Sequence, residues 1–270
     1  MEQSLPTKPL RVTLVQNSAG RCKADNLARI EALLAPVGTE DLVVLPEVFA
    51  FRDGDEGLRA QAEPFSATVG EWLCGLARRR NAWVVGGVIE KAAEGLFNTA
   101  VVVNPAGVRQ SAYRKMHLFE ARLDDGRVIR EADVYQAGDS PALFSIADWR
   151  LGLSICYDLR FPELYREYSA KGAQILLALS NFTQRTGQDH WEILVRARAI
   201  ENQAFVLAPD QCGVNPGTGV VSYGHSLAVG PWGEVLGAAG EQETAFTLTL
   251  VPADLARARA RVPALQHRRM

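Results

Sequence analysis

The chain has 270 residues, with 29 Lys and Arg against 31 Asp and Glu, for a formal charge of −2. That near balance gives no reason to expect a nucleic-acid partner or a charged membrane surface. Residues 1–9 lack the apolar centre of a signal peptide, and no apolar run approaches membrane-spanning length, so cytoplasm is the default location.

Taken in chain order, residues 10–16 read as a strand and 23–35 as an amphipathic helix with Leu27, Ile30, Leu33 and Leu34 on its apolar face. Residues 41–45 form a second strand that ends in Pro46-Glu47. A helix follows over 66–80, with Val69, Leu73, Leu76 and Ala77 on one side. Strands are expected over 83–90, 97–103 and 109–114, the last two joined by the turn Asn104-Pro105-Ala106-Gly107. The polar stretch 121–139 has no clear period, and its length suggests a functional loop. Residues 142–146 and 150–155 look like a hairpin pair. Then come a helix over 162–171, a strand over 175–179, a helix over 188–202 and a strand over 204–208. Strands near 225–229 and 244–250, with the turn Pro231-Trp232-Gly233-Glu234 between them, close the pattern. Mixed strands and helices without a linker argue for a single α/β domain, with a core over about 10–251 and a C-terminal tail over 252–270. Periodicity does not say how many sheets there are.

Cys156 ends the apolar run Leu151-Gly152-Leu153-Ser154-Ile155 and precedes Tyr157-Asp158-Leu159-Arg160-Phe161-Pro162. The thiol therefore sits at a strand's C-terminal end, before a helix whose first turn suits Pro162. Backbone N–H groups at such a turn favour a thiolate and can receive a developing oxyanion. An arbitrary intracellular cysteine is more often an inert core residue. Two further segments weigh against that reading: Leu45-Pro46-Glu47, and Tyr113-Arg114-Lys115-Met116-His117-Leu118. Cys22, Cys74 and Cys212 are widely spaced, with no CxxC pair, and His117, His190, His225 and His267 show no HExxH spacing. Neither a disulfide framework nor a metal is expected. His117 and His190 read as structural hydrogen-bonding residues and His225 as a packed one, so a Cys–His protease would lack its partner. Gly224-His225-Ser226-Leu227-Ala228 superficially matches a serine-hydrolase elbow, but the serine runs into a strand and turn rather than a helix.

Together, Glu47, Lys115 and Cys156 resemble, in order, the glutamate, lysine and cysteine motifs of the nitrilase (carbon–nitrogen hydrolase) superfamily, over about residues 11–269. The resemblance implies a four-layer αββα sandwich that dimerises across helices, with no cofactor. It implies that Cys156 attacks an amide carbonyl, and that Glu47 moves the proton to the leaving nitrogen and then activates water. Lys115 would stabilise the oxyanion with help from the backbone N–H of Tyr157, and would lower the thiol pKa. Glu131, in Arg130-Glu131-Ala132-Asp133, matches a carboxylate that orients Lys115 or the substrate.

Within the superfamily, residues 113–119, 189–202, 211–213, 222–227, 231–233 and 266–269 most resemble deaminated-glutathione amidases, with ω-amidases acting on 2-oxoglutaramate next. Both place a 2-oxoglutaryl-type acyl group on the cysteine and differ in the departing amine. An acidic acyl group calls for a further cation, for which Arg160 and Arg185 are candidates, with Phe182, Thr183 and Thr186 on the same wall. The chain departs from the family's Pro-Ala pattern at Gln188-Asp189-His190, where the added carboxylate would disfavour an anionic substrate or select a different amine. Other C–N substrates (an N-carbamoyl amine or a nitrile) and an inactive homologue serving as a binding partner are the alternatives. The set Glu47, Lys115, Cys156 and Glu131 argues against the last.

Overall fold

The computed structural model describes residues 5–122, 126 and 128–269. In chain order its elements begin with β1 (Leu10–Gln16), α1 (Lys23–Leu34), β2 (Leu42–Val44), α2 (Asp55–Gln61), α3 (Thr68–Arg80), β3 (Trp83–Ala92), β4 (Gly95–Val103) and β5 (Arg109–Arg114). Next come β6 (Glu120–Arg122), β7 (Val128–Arg130), β8 (Leu143–Ile146), β9 (Trp149–Ile155), α4 (Pro162–Ala170), β10 (Ile175–Leu179), α5 (Gln184–Asn202) and β11 (Phe205–Ala208). The chain ends with β12 (Cys212–Val214), β13 (Val221–Tyr223), β14 (Leu227–Val229), β15 (Val235–Ala238), β16 (Thr244–Leu250) and α6 (Pro252–Arg261).

Twelve of these strands make two six-stranded sheets, ordered β16-β1-β2-β3-β4-β5 and β15-β14-β11-β10-β9-β8, and β6-β7 and β12-β13 form two-stranded ones. Each six-stranded sheet has three parallel strands at its centre, β1-β2-β3 in one and β9-β10-β11 in the other, flanked by antiparallel neighbours. Strand alternation explains the layering. Leu42 and Val44 face the second sheet's Leu151 and Leu153 side of the core, whereas Val43 turns to the cluster formed with Ile30, Leu34, Leu73 and Leu76 of α1 and α3. β10, which is buried along its whole length, is covered on its other face by α4 and α5, so it reads as an unbroken apolar run. The result is the αββα sandwich implied by the resemblance.

Most long elements lie within a few residues of their expected bounds. The differences have local causes. α2 buries none of its residues and so carries no apolar stripe to betray it. The stretch read as one long loop contains the hairpin β6–β7 and a 3₁₀ turn over Glu131–Asp133; strands of three residues are too short to display a period. α5 begins at Gln184 rather than 188, through a polar first turn whose Gly187 packs against the Tyr223 ring. The segment read as a tail opens with α6, whose Leu255 is fully buried and whose Ala258 carbonyl, with that of Val262 just beyond the helix, accepts from Gln203 Nε2.

Gly87 of β3 is required by contact rather than by torsion. A Cβ there would lie 2.7 Å from Glu47 Cα and 3.1 Å from both the Pro46 oxygen and the Val48 nitrogen, all backbone atoms. Gly87→Ala should therefore destabilise the protein by about 1–3 kcal/mol, as overpacking does. Urea unfolding with an unchanged midpoint would show instead that the 46–48 segment yields freely.

Candidate active site

Three strand ends bring the expected residues together. β2 runs through Leu45 and Pro46 into Glu47. This segment is held by hydrogen bonds from Leu45 N to the Val85 carbonyl, Gly87 N to the Pro46 carbonyl and Gln211 Nε2 to the Glu47 carbonyl. The next residue, Val48, has φ +46°, a left-handed conformation that costs a β-branched residue strain. β5 delivers Lys115, whose backbone N–H donates to the Asn98 carbonyl at 2.8 Å. β9 delivers Cys156, also left-handed at φ +47°, at the start of a 3₁₀ turn over Cys156–Arg160 that leads into Pro162 at the head of α4.

The turn that carries the thiol is pinned by Asp158, a fully buried carboxylate. Its Oδ2 accepts from Ile155 N at 2.8 Å and from the Tyr113 hydroxyl at 2.8 Å, and its Oδ1 from His117 N at 3.2 Å. His117 Nδ1 lies 2.7 Å from the same Oδ1, and its ring stacks on Phe161 at 3.7 Å. Asp158 thus couples the lysine strand to the cysteine turn, a role not legible in the motif. His190 contacts Arg160, and His225 stacks on Tyr223.

Lys115 is 1% exposed and its Nζ donates to Glu47 Oε1 at 2.9 Å and to Glu131 Oε1 at 2.9 Å. Asn98 Nδ2 donates to the same Glu47 Oε1 at 2.6 Å, and Glu131 Oε2 accepts from Phe119 N at 2.7 Å. Glu47 Oε2 has no hydrogen-bond partner among the described residues. The turn bearing Glu131 is seated by Val134 and Tyr135, which pack against Val48, Phe51 and Ile89. Burial alone would lower the Lys115 pKa, but Glu131 and Glu47 outweigh it and hold the ammonium well above the ordinary lysine range. One ammonium cannot compensate two buried carboxylates. Burial, with Glu47 adding to it, accordingly raises the Glu131 pKa despite Lys115.

The thiol behaves differently from the expectation of a lowered pKa. Cys156 is buried, and burial together with Glu47 pushes its pKa well above the ordinary value, against the opposing pull of Lys115 and the backbone N–H of Asn181. Burial is the largest cause and Glu47 the next, and together they favour the protonated form over the pull of Lys115.

Glu47, Lys115, Glu131 and Cys156 all line one cleft of about 1020 Å³, counted out to its open mouth. Tyr157, Arg160, Phe182, Thr183 and Thr186 line it too. Arg160 lies over the Phe182 and Tyr157 rings at 5.6 and 5.9 Å, and the Thr183 and Thr186 hydroxyls are hydrogen-bonded at 2.7 Å. Arg185 is exposed in the first turn of α5 and, like the exposed Asp189, lies outside the lining. The two arginines therefore do not converge. Sequence reasoning passed over Arg52, Asn98, Tyr135, Asn181 and Ser222, which also line the cleft. They come from five separate segments and carry no local motif. Among the described residues no group of three or more His, Cys, Asp and Glu side chains is placed to hold a metal ion.

A model of the carbon–nitrogen hydrolase family matches residues 11–261. A deaminated glutathione amidase of Synechocystis is 36% identical over 269 residues, covering 97% of this chain and 98% of that protein. The omega-amidase NIT2 of Bos taurus is 34% identical over 262 residues, covering 96% and 95%. The crystal structure of a CN-hydrolase superfamily protein from Xanthomonas campestris, with an arsenic adduct in its active site, matches with a TM-score of 0.87 at 33% identity, covering 98% of each chain. With the fold and nearly the whole length in agreement, the protein belongs to the carbon–nitrogen hydrolase family and is a hydrolase of the C–N bonds of amides.

Proposed function

We propose that the protein is a cysteine amidase of small carboxylate-bearing amides, with deaminated glutathione its favoured substrate. The observation that carries this reading is the clamp of Lys115 between Glu47 and Glu131 beside the thiol of Cys156, in a cleft that also holds Arg160. Similarity to a deaminated glutathione amidase supports the choice of substrate. Similarity to an omega-amidase supports 2-oxoglutaramate as the second reading.

In the reaction, Cys156 Sγ attacks the amide carbonyl while its proton passes to Glu47, whose Oε2 is the oxygen left without a protein partner. The negative charge that develops on the carbonyl oxygen is met by Lys115 Nζ and the backbone N–H of Tyr157. The intermediate collapses as Glu47 returns the proton to the nitrogen, the C–N bond breaks, and the amine leaves a thioester on Cys156. Water then attacks the thioester, giving its proton to Glu47. The acid is released and the thiol is restored. Glu131 acts through Lys115, holding the ammonium in place. No step needs a cofactor. Arg160, with Thr183 and Thr186, receives the substrate's acyl carboxylate.

We place the protein in the cytoplasm; no helix among the described residues is long and apolar enough to cross a membrane. A homodimer formed across helices fits the exposed apolar stripe of α5, where Ile193 is 70% and Ile200 52% exposed, beside Trp232 at 45%. Sedimentation of the wild type as a dimer, converted to monomer by Ile193→Glu, is the expected result; a monomeric wild type removes the dimer.

Cys156→Ala should retain the fold and lose turnover by roughly 10⁴-fold or more. Glu47→Gln should show no acylation burst and no accumulated thioester by intact-protein mass spectrometry, since one carboxylate serves both half-reactions. A normal burst would take the first proton transfer away from Glu47. Arg160→Ala should lower kcat/KM for acid amides by roughly 30-fold or more, with far smaller loss on a neutral amide of equal length. Equal losses on both would exclude a carboxylate-binding role.

A further inference from the structure

Two buried polar atoms of the cleft take no part in the chemistry above. Asn98 is 1% exposed and Tyr135 6%, and both line the cleft with Glu47 and Glu131. A carboxylate oxygen can only accept, so the Asn98 carboxamide must present Nδ2 to Glu47 Oε1, and its Oδ1 is turned to other surroundings. Neither Asn98 Oδ1 nor the Tyr135 hydroxyl has a hydrogen-bond partner among the described residues. An unpaired buried polar group is destabilising, so two of them on one cleft call for a reason. The buried Arg52 guanidinium on the same cleft is the opposite case. Its N–H groups are all committed to oxygens, those of Ala19, Asn181, Ser222, Ser18 and Cys212, and it has no donor left for a ligand.

Backbone contacts bring Asn98 and Tyr135 to one place. Lys115 N donates to the Asn98 carbonyl and Gln136 N to the Leu96 carbonyl, both at 2.8 Å, so the two segments flank the same stretch of β4. Tyr135 N donates to the Glu131 carbonyl at 2.8 Å. The Tyr135 side chain packs with Val48 and Ile89, and Ile89 is the residue opposite Asn98 across β3 and β4. The charged groups that act on the Tyr135 hydroxyl, namely Glu131, Glu47, Lys115 and Asp55, all line the cleft. The hydroxyl end of the ring therefore lies on the cleft side. Burial, with Glu131 and Glu47 adding to it, raises the phenol pKa against the pull of Lys115, so this hydroxyl keeps its proton and can donate it in a hydrogen bond.

The cleft beside the base thus offers one donor, Tyr135 Oη, and two acceptors, Asn98 Oδ1 and Glu47 Oε2. That set matches water, which has two hydrogens to give and makes about three hydrogen bonds when buried. The reaction consumes one such molecule, after the amine has left. The amine nitrogen needs no holder, because the substrate's own bonds carry it to Glu47, whereas water is placed only by the protein. We propose that Tyr135 Oη and Asn98 Oδ1 hold the deacylating water against Glu47 Oε2, so that Tyr135 serves the second half-reaction above the first. In that step the water oxygen bonds to the thioester carbon while one of its protons passes to Glu47. The C–S bond then breaks, and the sulfur takes that proton as the acid leaves. The water site rests on the amidase reading above and deepens it.

The test compares wild type with Tyr135→Phe on deaminated glutathione and 2-oxoglutaramate, which deposit the same acyl group on Cys156. Phenylalanine keeps the ring packing and removes a hydroxyl that no described residue pairs, so the fold is retained. Rapid-quench mass spectrometry should show deacylation slowed roughly 30-fold and acylation slowed far less, so that thioester accumulates from both substrates. In the steady state kcat and KM should both fall. Equal slowing of the two steps (a disturbed Glu47), a raised KM (a substrate contact) or no change would overturn the water site and leave the amidase standing. A wild type that forms no thioester from either substrate fails the amidase reading, and the water site with it, before any substitution is made. A crystal structure of the wild type gives a second check that does not depend on the variant. It should show a water about 2.7–3.2 Å from both Tyr135 Oη and Asn98 Oδ1; well-ordered side chains without that water overturn the proposal.

Discussion

The site depends on a buried ammonium shared by two carboxylates. Taking Lys115 out of water is expensive, and only the contacts with Glu47 and Glu131 make it tolerable. The cluster sets two carboxylates against one ammonium in surroundings that screen charge poorly. Burial, with Glu47 adding to it, pushes the pKa of the thiol beside it upward against the pull of Lys115.

The sandwich supplies the frame for this cluster. Glu47 follows β2 of one sheet, and Cys156 and Asn181 follow β9 and β10 of the other, so the cleft lies at the C-terminal ends of central parallel strands in both sheets. Parallel strands release their chains at one end, where irregular backbone can gather side chains from several crossovers. Val48 and Cys156 both depart from the strand in left-handed conformations, which turns Glu47 and the thiol out of the sheets. Asp158 holds the cysteine turn against that strain by accepting from the β9 end and from the lysine segment together. The Cys156 turn and the Lys115 segment are consequently registered by one side chain.

Elements buried in long apolar runs were readable in advance because burial imposes a period. Leu27, Ile30 and Leu34 mark α1, and the unbroken Ile175–Leu179 marks a strand covered on both faces. α2 was invisible because it buries nothing, and β6 and β7 because three residues cannot establish an alternation. Glu47, Lys115 and Cys156 were legible as motifs since each sits beside a proline, basic or aromatic context at a strand end. Arg185 looked equivalent to Arg160 in sequence, yet a helical turn sends it to the exposed surface.

The sequence by itself determined the strand ends that carry the glutamate, lysine and cysteine, and, through resemblance, the family and its layered sheets. Those are properties of contiguous segments, where apolar period and turn chemistry act over a few residues. Tertiary structure alone decided the direction in which the thiol pKa moves, the pinning by Asp158 and the Arg52–Ser222–Asn181 network. Each depends on burial and on hydrogen bonds between residues far apart in the chain; Arg52 and Ser222, for instance, are 170 positions apart. Desolvation and charge compensation act through space, and only the packed sheets specify those distances.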